Sequence, residues 1–254
     1  MFGPMNKDIA CGMWSPTYII ALAIVMILII KGLSLSSKMS NESVRKILIF
    51  DAIFSSVTEI IKMIFIGITY GIKEVEFVPL YFCSLFIYMS FFSLSKNEKI
   101  KNTGLSFLFY GGIVGAACFF IYPSACIPNY PIYHFMCLRT LIYHGLMIYT
   151  GILIVKAGYY VPNKKHFRNY IISLGIICIF AYIFNVFFGY DYMYISKPID
   201  IPISKMVYEW NPYLYPFIAM IVEVLVPFMV TSFIYDFIKY INKKRDEETI
   251  DSLN

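Results

Sequence analysis

The sequence predicts an all-α, polytopic membrane protein with seven transmembrane helices, N-terminus outside and C-terminus cytoplasmic. Three observations predict it. Hydrophobic residues make up 59% of the 254 residues and charged residues 15%, where soluble domains carry roughly a quarter charged. The apolar runs are continuous over about 20 residues, the length a helix needs to cross a bilayer, rather than alternating over ~10 residues as in a membrane β-barrel. Finally, Lys and Arg collect in alternate gaps between the runs.

The spans read, in order, as 16–35, 46–70, 77–95, 103–122, 132–156, 168–189 and 213–239. Lys31, Lys38, Arg45 and Lys46 mark the end of the first span and the gap after it. Lys96, Lys99 and Lys101 follow the third, Lys156, Lys164, Lys165 and Arg168 mark the fifth, and Lys239, Lys243, Lys244 and Arg245 the seventh. The other side holds only Lys7, Lys73, Lys197 and Lys205. Cytoplasmic loops are the ones enriched in Lys and Arg, which sets the orientation. The formal charge of +5 reflects those loops, suits contact with anionic lipid, and requires no nucleic acid.

The first 15 residues carry one Lys before a long apolar run, unlike a cleaved signal peptide, so the first span is expected to stay. Residues 1–242 read as a single transmembrane domain, and 243–254 (KKRDEETIDSLN) as a polar cytoplasmic tail. Cys83, Cys118, Cys137 and Cys178 fall within spans. Cys11 and Cys126 both fall outside, Cys126 in the Pro-rich loop YPSACIPNYP, which leaves a bridge between them open. With no CxxC, HxxxH or HExxH among three His and six Cys, neither a metal site nor a cofactor is expected. There is no GxSxG elbow either.

Ionisable groups within a bilayer are expensive and mark function or a paired lock. In the second span Asp51, Ser55, Glu59 and Lys62 recur at helical spacing and share a face. Glu59 and Lys62, three apart, can pair. In the third span Pro79 is expected in the first helical turn, with Cys83 one turn later. The fifth span carries His134 at its outer mouth, then Arg139 and His144. Five residues separate Arg139 from His144, about 140° around a helix, so they do not point at one spot. Asn185 lies near the outer end of the sixth span. Glu223 stands about ten residues down the seventh, ahead of Pro227, which is expected to kink it. With the spans laid straight, His144 falls about two turns deeper than Cys83.

Three segments carry a family resemblance: FVPLYFCSL at 77–85, RTLIYHG at 139–145, and NVFFGYDYMYISKP at 185–198. Together with the seven-span layout, this resembles the YwaF-type integral membrane proteins, related to transmembrane protein 164. The animal branch of that family looks like membrane acyltransferases that remodel phospholipid acyl chains through a span-embedded Cys and His. The resemblance implies Cys83 as nucleophile and His144 as base. It also implies that Asn185, Gly189, Tyr192, Lys197 and Pro198 shape the outer wall of the site. Asp191 stands where the family pattern has Asn.

The chemistry expected is thiol attack on a phospholipid ester, the substrate entering sideways from the membrane. A buried thiol needs a neighbouring base or cation, which His144, Arg139 or Lys62 supplies, and Asn185 is a candidate donor to the oxyanion. Glu59, Glu223 and Tyr192 complete the substrate-binding set. Two alternatives stay open. Glu59, Lys62, Arg139 and Glu223 are also what a proton- or solute-coupled transporter needs. In an accessory subunit of a membrane complex they would be packing locks. The Lys, Ile, Tyr and Asn content suggests an AT-rich genome, hence a bacterial plasma membrane.

Overall fold

The computed structural model describes residues 2–36 and 39–251, and the side chains of Lys164 and of 246–251 are not described. Lys38 and residues 252–254 therefore lie outside it. Every element among the described residues is helical. The long ones are α1 (Pro16–Leu35), α2 (Asn41–Tyr70), α6 (Phe135–Lys156), α7 (Phe167–Phe188) and α9 (Tyr215–Asp251). α4 (Glu98–Phe107) runs through a π-helical turn, Leu108–Gly112, into α5 (Ile113–Ile121), and the three make one rod. Two helices are short, α3 (Leu85–Ser93) and α8 (Pro202–Trp210).

Local chemistry starts these helices where the sequence offers a cap. Ser15, Ser40, Asn97 and His134 each accept a backbone N–H of the first turn ahead of α1, α2, α4 and α6, satisfying a donor that the helix leaves free. Pro16 sits at the first position of α1, where a missing N–H costs nothing. α7 ends on Gly189, at φ 73°, the left-handed cap that glycine adopts without strain. Pro227 lies inside α9, and the helix runs on through it. It also continues through the polar tail as far as Asp251.

Five helices are long and apolar enough to cross a membrane: α1, the α4–α5 rod, α6, α7 and α9. The chain is thus an integral membrane protein of apolar helices. The other two expected spans look different. α2 has 30 residues, about 45 Å, but Asp51, Glu59 and Lys62 interrupt its apolar run. It turns Asp51, Ser55 and Glu59 inward and leaves Phe50, Ile53, Val57, Ile60 and Ile64 exposed, so the polar face meets protein and the apolar face is left uncovered. The 77–95 stretch is not the single helix expected. Only Leu85–Ser93 is helical, and 77–84 is irregular backbone.

Burial shows which helices form the interior. In their most apolar windows the α4–α5 rod is 67% buried and α6 56%, against 11% for α1, 22% for α7 and 17% for α9. The rod and α6 pack together at the centre. α1 and α2 lie against α6, α3 wedges between α2 and α4, and α7 and α9 flank the rod on its other side. Close approach depends on glycine. A Cβ at Gly104 would stand 2.4 Å from the Ser93 backbone nitrogen, and one at Gly151 2.6 Å from the Leu108 carbonyl of the π turn.

Candidate functional site

The irregular chain ahead of α3 decides where Cys83 sits. Val75 to Ser84 descends without regular structure, and α3 begins only at Leu85. Irregular backbone needs other groups to hold and cover it, and here protein supplies them. The Phe82 ring lies so close to Gly111 and Gly115 that a Cβ on either would meet it, at 3.3 Å and 2.8 Å. The Tyr143 hydroxyl donates to the Cys83 carbonyl at 3.0 Å. The Cys83 thiol points at the Gly115 carbonyl, 3.8 Å away.

Cys83 therefore stands just ahead of the first turn of α3. Leu85, Phe86 and Ile87 send their N–H groups back to Tyr81 and Phe82, to Cys83 and to Ser84. The N–H groups of Phe82 and Ser84 meet no acceptor among the described residues, and that of Cys83 turns toward its own sulfur, the usual state of a helix start. A thiol in that position feels the positive end of the helix, and a developing oxyanion there finds free donors.

His144 is held differently. Its Nδ1 lies 2.8 Å from the Thr140 carbonyl, an atom that only accepts, so Nδ1 carries the hydrogen and Nε2 keeps its lone pair. The ring stacks on Phe119 at 4.0 Å. Phe119 and Gly115 are four residues apart on α5, so one stripe of that helix carries the His144 ring at one turn and the Cys83 thiol at the next, ~6 Å along the axis. The two-turn offset expected from straight helices is not found. Irregular backbone advances up to ~3.3 Å per residue against 1.5 Å in a helix, which carries Cys83 deeper than its sequence position implies. No hydrogen bond joins Cys83 to His144 among the described residues.

Arg139 belongs to a separate ionic cluster. It ion-pairs with Glu59, and its Nε donates to the Thr58 carbonyl at 3.2 Å. Glu59 also pairs with Lys62 at 2.5 Å. The Arg139 guanidinium lies 5.1 Å from the centre of the Tyr143 ring, whose hydroxyl holds the Cys83 backbone. Tyr143 thus joins the ionic cluster to the thiol. It went unmarked in the sequence, although its place four residues after Arg139, on the same helical face, was the available signal.

Asn185 does not serve as an oxyanion donor in this arrangement. Its side-chain oxygen accepts from the Tyr192 N–H at 2.7 Å. Its amide nitrogen donates to the Tyr192 carbonyl at 3.1 Å and to the Ser196 hydroxyl at 3.0 Å. Both amide hydrogens are used in clamping the loop after α7. Asp191 adds a second clamp, accepting from the N–H groups of Ser196 and Lys197 at 3.0 and 3.1 Å. Burial pushes the Asp191 carboxyl above the usual range for aspartate, and those two N–H groups pull it back. Between the clamps Met193 and Tyr194 take positive φ, 58° and 54°, uncommon for non-glycine residues and held only by surrounding structure. Tyr192 is buried with its ring 5.3 Å from that of Tyr81.

That loop, α8 and the upper part of α9 enclose a cleft of about 270 Å³, and Glu223 is among its lining residues. Glu223 makes no hydrogen bond or ion pair with another described residue. Its Oε2 is buried with no hydrogen-bond partner. The structure therefore gathers Cys83, Glu223 and the 190–197 loop on one side of α5. Glu59, Lys62 and Arg139 gather around α2 and α6, with His144 against α5.

All six cysteines are free. Cys11 and Cys126 are not bridged; the Cys11 sulfur lies 3.2 Å from the Ser15 hydroxyl. No group of three or more His, Cys, Asp or Glu side chains suited to a metal occurs among the described residues.

Comparison with known families matches the chain to the TMEM164 family, over residues 13–234. No curated protein and no solved structure matches the chain.

Proposed function

The chain belongs to the TMEM164 family, and on that premise we propose that it is a membrane-embedded, thiol-dependent acyltransferase acting on phospholipid acyl esters. The observation that carries the reading is the placement of Cys83. The thiol stands at the start of a nine-residue helix, beside the N–H groups of Phe82, Cys83 and Ser84, on irregular chain.

In this reading the His144 Nε2 takes the thiol proton. The thiolate attacks the ester carbonyl, and the N–H groups of Phe82, Cys83 and Ser84 receive the oxyanion. Collapse releases the lysolipid alkoxide, which recovers the proton from His144 and leaves an acyl thioester on Cys83. Transfer to a second lipid hydroxyl completes the exchange. Cys83 and His144 draw within proton-transfer distance in the substrate complex, since catalytic hydrogen bonds are often long before substrate binds. Arg139 and Tyr143 position the Cys83 backbone.

The same reading has seven crossings with the N-terminus outside, in a bacterial plasma membrane. α2 crosses with its polar face inward, and 77–95 crosses as irregular chain plus α3. At ~1.5 Å per residue the nine residues of α3 cover about 14 Å, roughly half the hydrocarbon thickness.

The test is covalent. Purified protein in phosphatidylcholine vesicles should gain the mass of one acyl group, and hydroxylamine should remove it. Cys83→Ser should abolish the adduct, and His144→Ala should slow its formation at least a hundredfold. An adduct unaffected by Cys83→Ser, or none in the wild type, overturns the reading.

One observation favours a transporter instead. A broken span beside an unpaired membrane-embedded carboxylate is also the architecture of ion-coupled carriers. In that case Cys83→Ser is silent and Glu223→Gln abolishes flux into vesicles.

A further inference from the structure

The cleft beside α9 has a composition that selects its ligand. Tyr194, Ile201, Val207, Tyr215, Ile218 and Glu223 define it, and no Lys, Arg or His lines it. The Tyr215 hydroxyl is engaged by Ser204 and by the carbonyls of Tyr194 and Lys197. That leaves the Glu223 carboxyl, which lines the cleft and has no hydrogen-bond or ion-pair partner among the described residues, as the acceptor awaiting a donor. A buried acceptor without a donor is costly, and nothing in the cleft compensates it. An ionised fatty acid or a phosphate would add negative charge beside a carboxyl group with no cation to answer it. A ligand with a hydroxyl would answer it directly.

Size points the same way. An engineered cavity of ~150 Å³ accepts one benzene ring, so the 270 Å³ here admits about ten carbon atoms. α8, which forms one wall, exposes Ile203, Met206 and Trp210, the apolar and aromatic residues that seat a helix in a membrane interface.

We infer that this cleft binds the hydroxyl-bearing portion of a lipid, with about ten carbons in the apolar groove and the hydroxyl donating to Glu223. This inference rests on the acyl-transfer reading for its role and on the cleft alone for its ligand. In that role the bound alcohol is the acyl acceptor. Its oxygen attacks the thioester carbon on Cys83. A C–O bond forms, the C–S bond breaks, and the hydroxyl proton passes to the Glu223 carboxylate and from there to the departing thiolate. Thioester and alcohol become ester and thiol, with no other reactant consumed.

The test uses a decanol carrying a mid-chain diazirine, photolysed with the full-length protein in phosphatidylcholine vesicles, with adducts mapped by peptide mass. Label should fall within residues 194–223 in both wild type and Cys83→Ser. Decanol should compete at least tenfold better than decanoate or decane. Ala219→Phe, which fills the groove, should remove the label. Glu223→Leu, an apolar replacement in apolar surroundings, should leave the protein folded and erase the advantage of decanol over decane. Label elsewhere, equal competition by decanoate, or an undiminished alcohol preference in Glu223→Leu overturns the inference. The acyl-transfer reading is judged separately by the Cys83 adduct. If that adduct forms, added decanol should discharge it in wild type and at least tenfold more slowly in Glu223→Leu. Equal discharge removes the acceptor role.

Discussion

Glu59 and Glu223 are both carboxylates placed within long helices, and their surroundings differ in kind. Glu59 is 3% exposed and takes Lys62 on one oxygen and Arg139 on the other. Arg139 in turn is held by the Thr58 carbonyl and faces the Tyr143 ring. Glu223 has a buried oxygen and no partner for it, and it borders an apolar cleft. In the first arrangement two cations answer the carboxylate without a ligand. The second is incomplete, and that difference separates a structural lock from a binding site more reliably than the mere presence of a charge in a span.

The largest effect should come from breaking the Glu59 cluster. Glu59→Gln strands two cations, and removing one partner of a buried ion pair costs about 3–5 kcal/mol. Thermal unfolding in detergent should show that loss, while Glu223→Leu stays within about 1 kcal/mol of wild type because no partner is stranded. Equal costs at the two sites would erase the distinction.

Next in size is the wall of the Glu223 cleft. Asn185→Ala deletes three hydrogen bonds that hold the Tyr192–Ser196 turn and leaves the Tyr192 N–H unpaired, for about 1–3 kcal/mol. Hydrogen exchange should rise in residues 190–197 and not in α2.

A smaller change tests the link between the two regions. Tyr143→Phe removes one hydrogen bond, for about 0.5–1.5 kcal/mol, while keeping the ring under Arg139. Misplacing a nucleophile by ~1 Å costs up to a hundredfold in rate. Acyl-adduct formation on Cys83 should therefore fall further than stability does.

The smallest effect is a dependence on pH at the end of α6 nearest the N-terminal segment. His134, one residue before α6, meets the Gly3 N–H and carbonyl through Nε2, both at 3.1 Å. Burial, partly offset by the Gly3 contact, holds its pKa below the ordinary 6.5. The fold thus binds that proton less readily than the unfolded chain does. The stability this contributes is present above pH 6.5 and lost as pH falls below it. Hydrogen exchange of residues 3–12 should quicken on acidification from pH 7 to 5, and His134→Gln should flatten that response.

Much of the helical framework was legible in the sequence because helices in lipid must be long, apolar and internally hydrogen-bonded. The inward face of α2 and the Glu59–Lys62 pair were equally legible, since residues three and four apart on a helix meet wherever the helix lies. Tyr143 was readable by the same rule. The break before α3 was not. Whether 77–84 stays helical depends on what replaces its backbone hydrogen bonds, and the Tyr143 hydroxyl, which holds the Cys83 carbonyl, comes from far along the chain.

By itself, then, the sequence determined the membrane setting, the apolar runs and which polar residues share a helical face, because each of these follows from local spacing and transfer energy. Tertiary structure alone decided that Cys83 lies one α5 turn from His144, that the Asn185 amide clamps a loop, and that Glu223 has no ion-pair or hydrogen-bond partner among the described residues. Each of those outcomes turns on which distant groups arrive at hydrogen-bonding distance, and spacing along one chain segment carries no information about that.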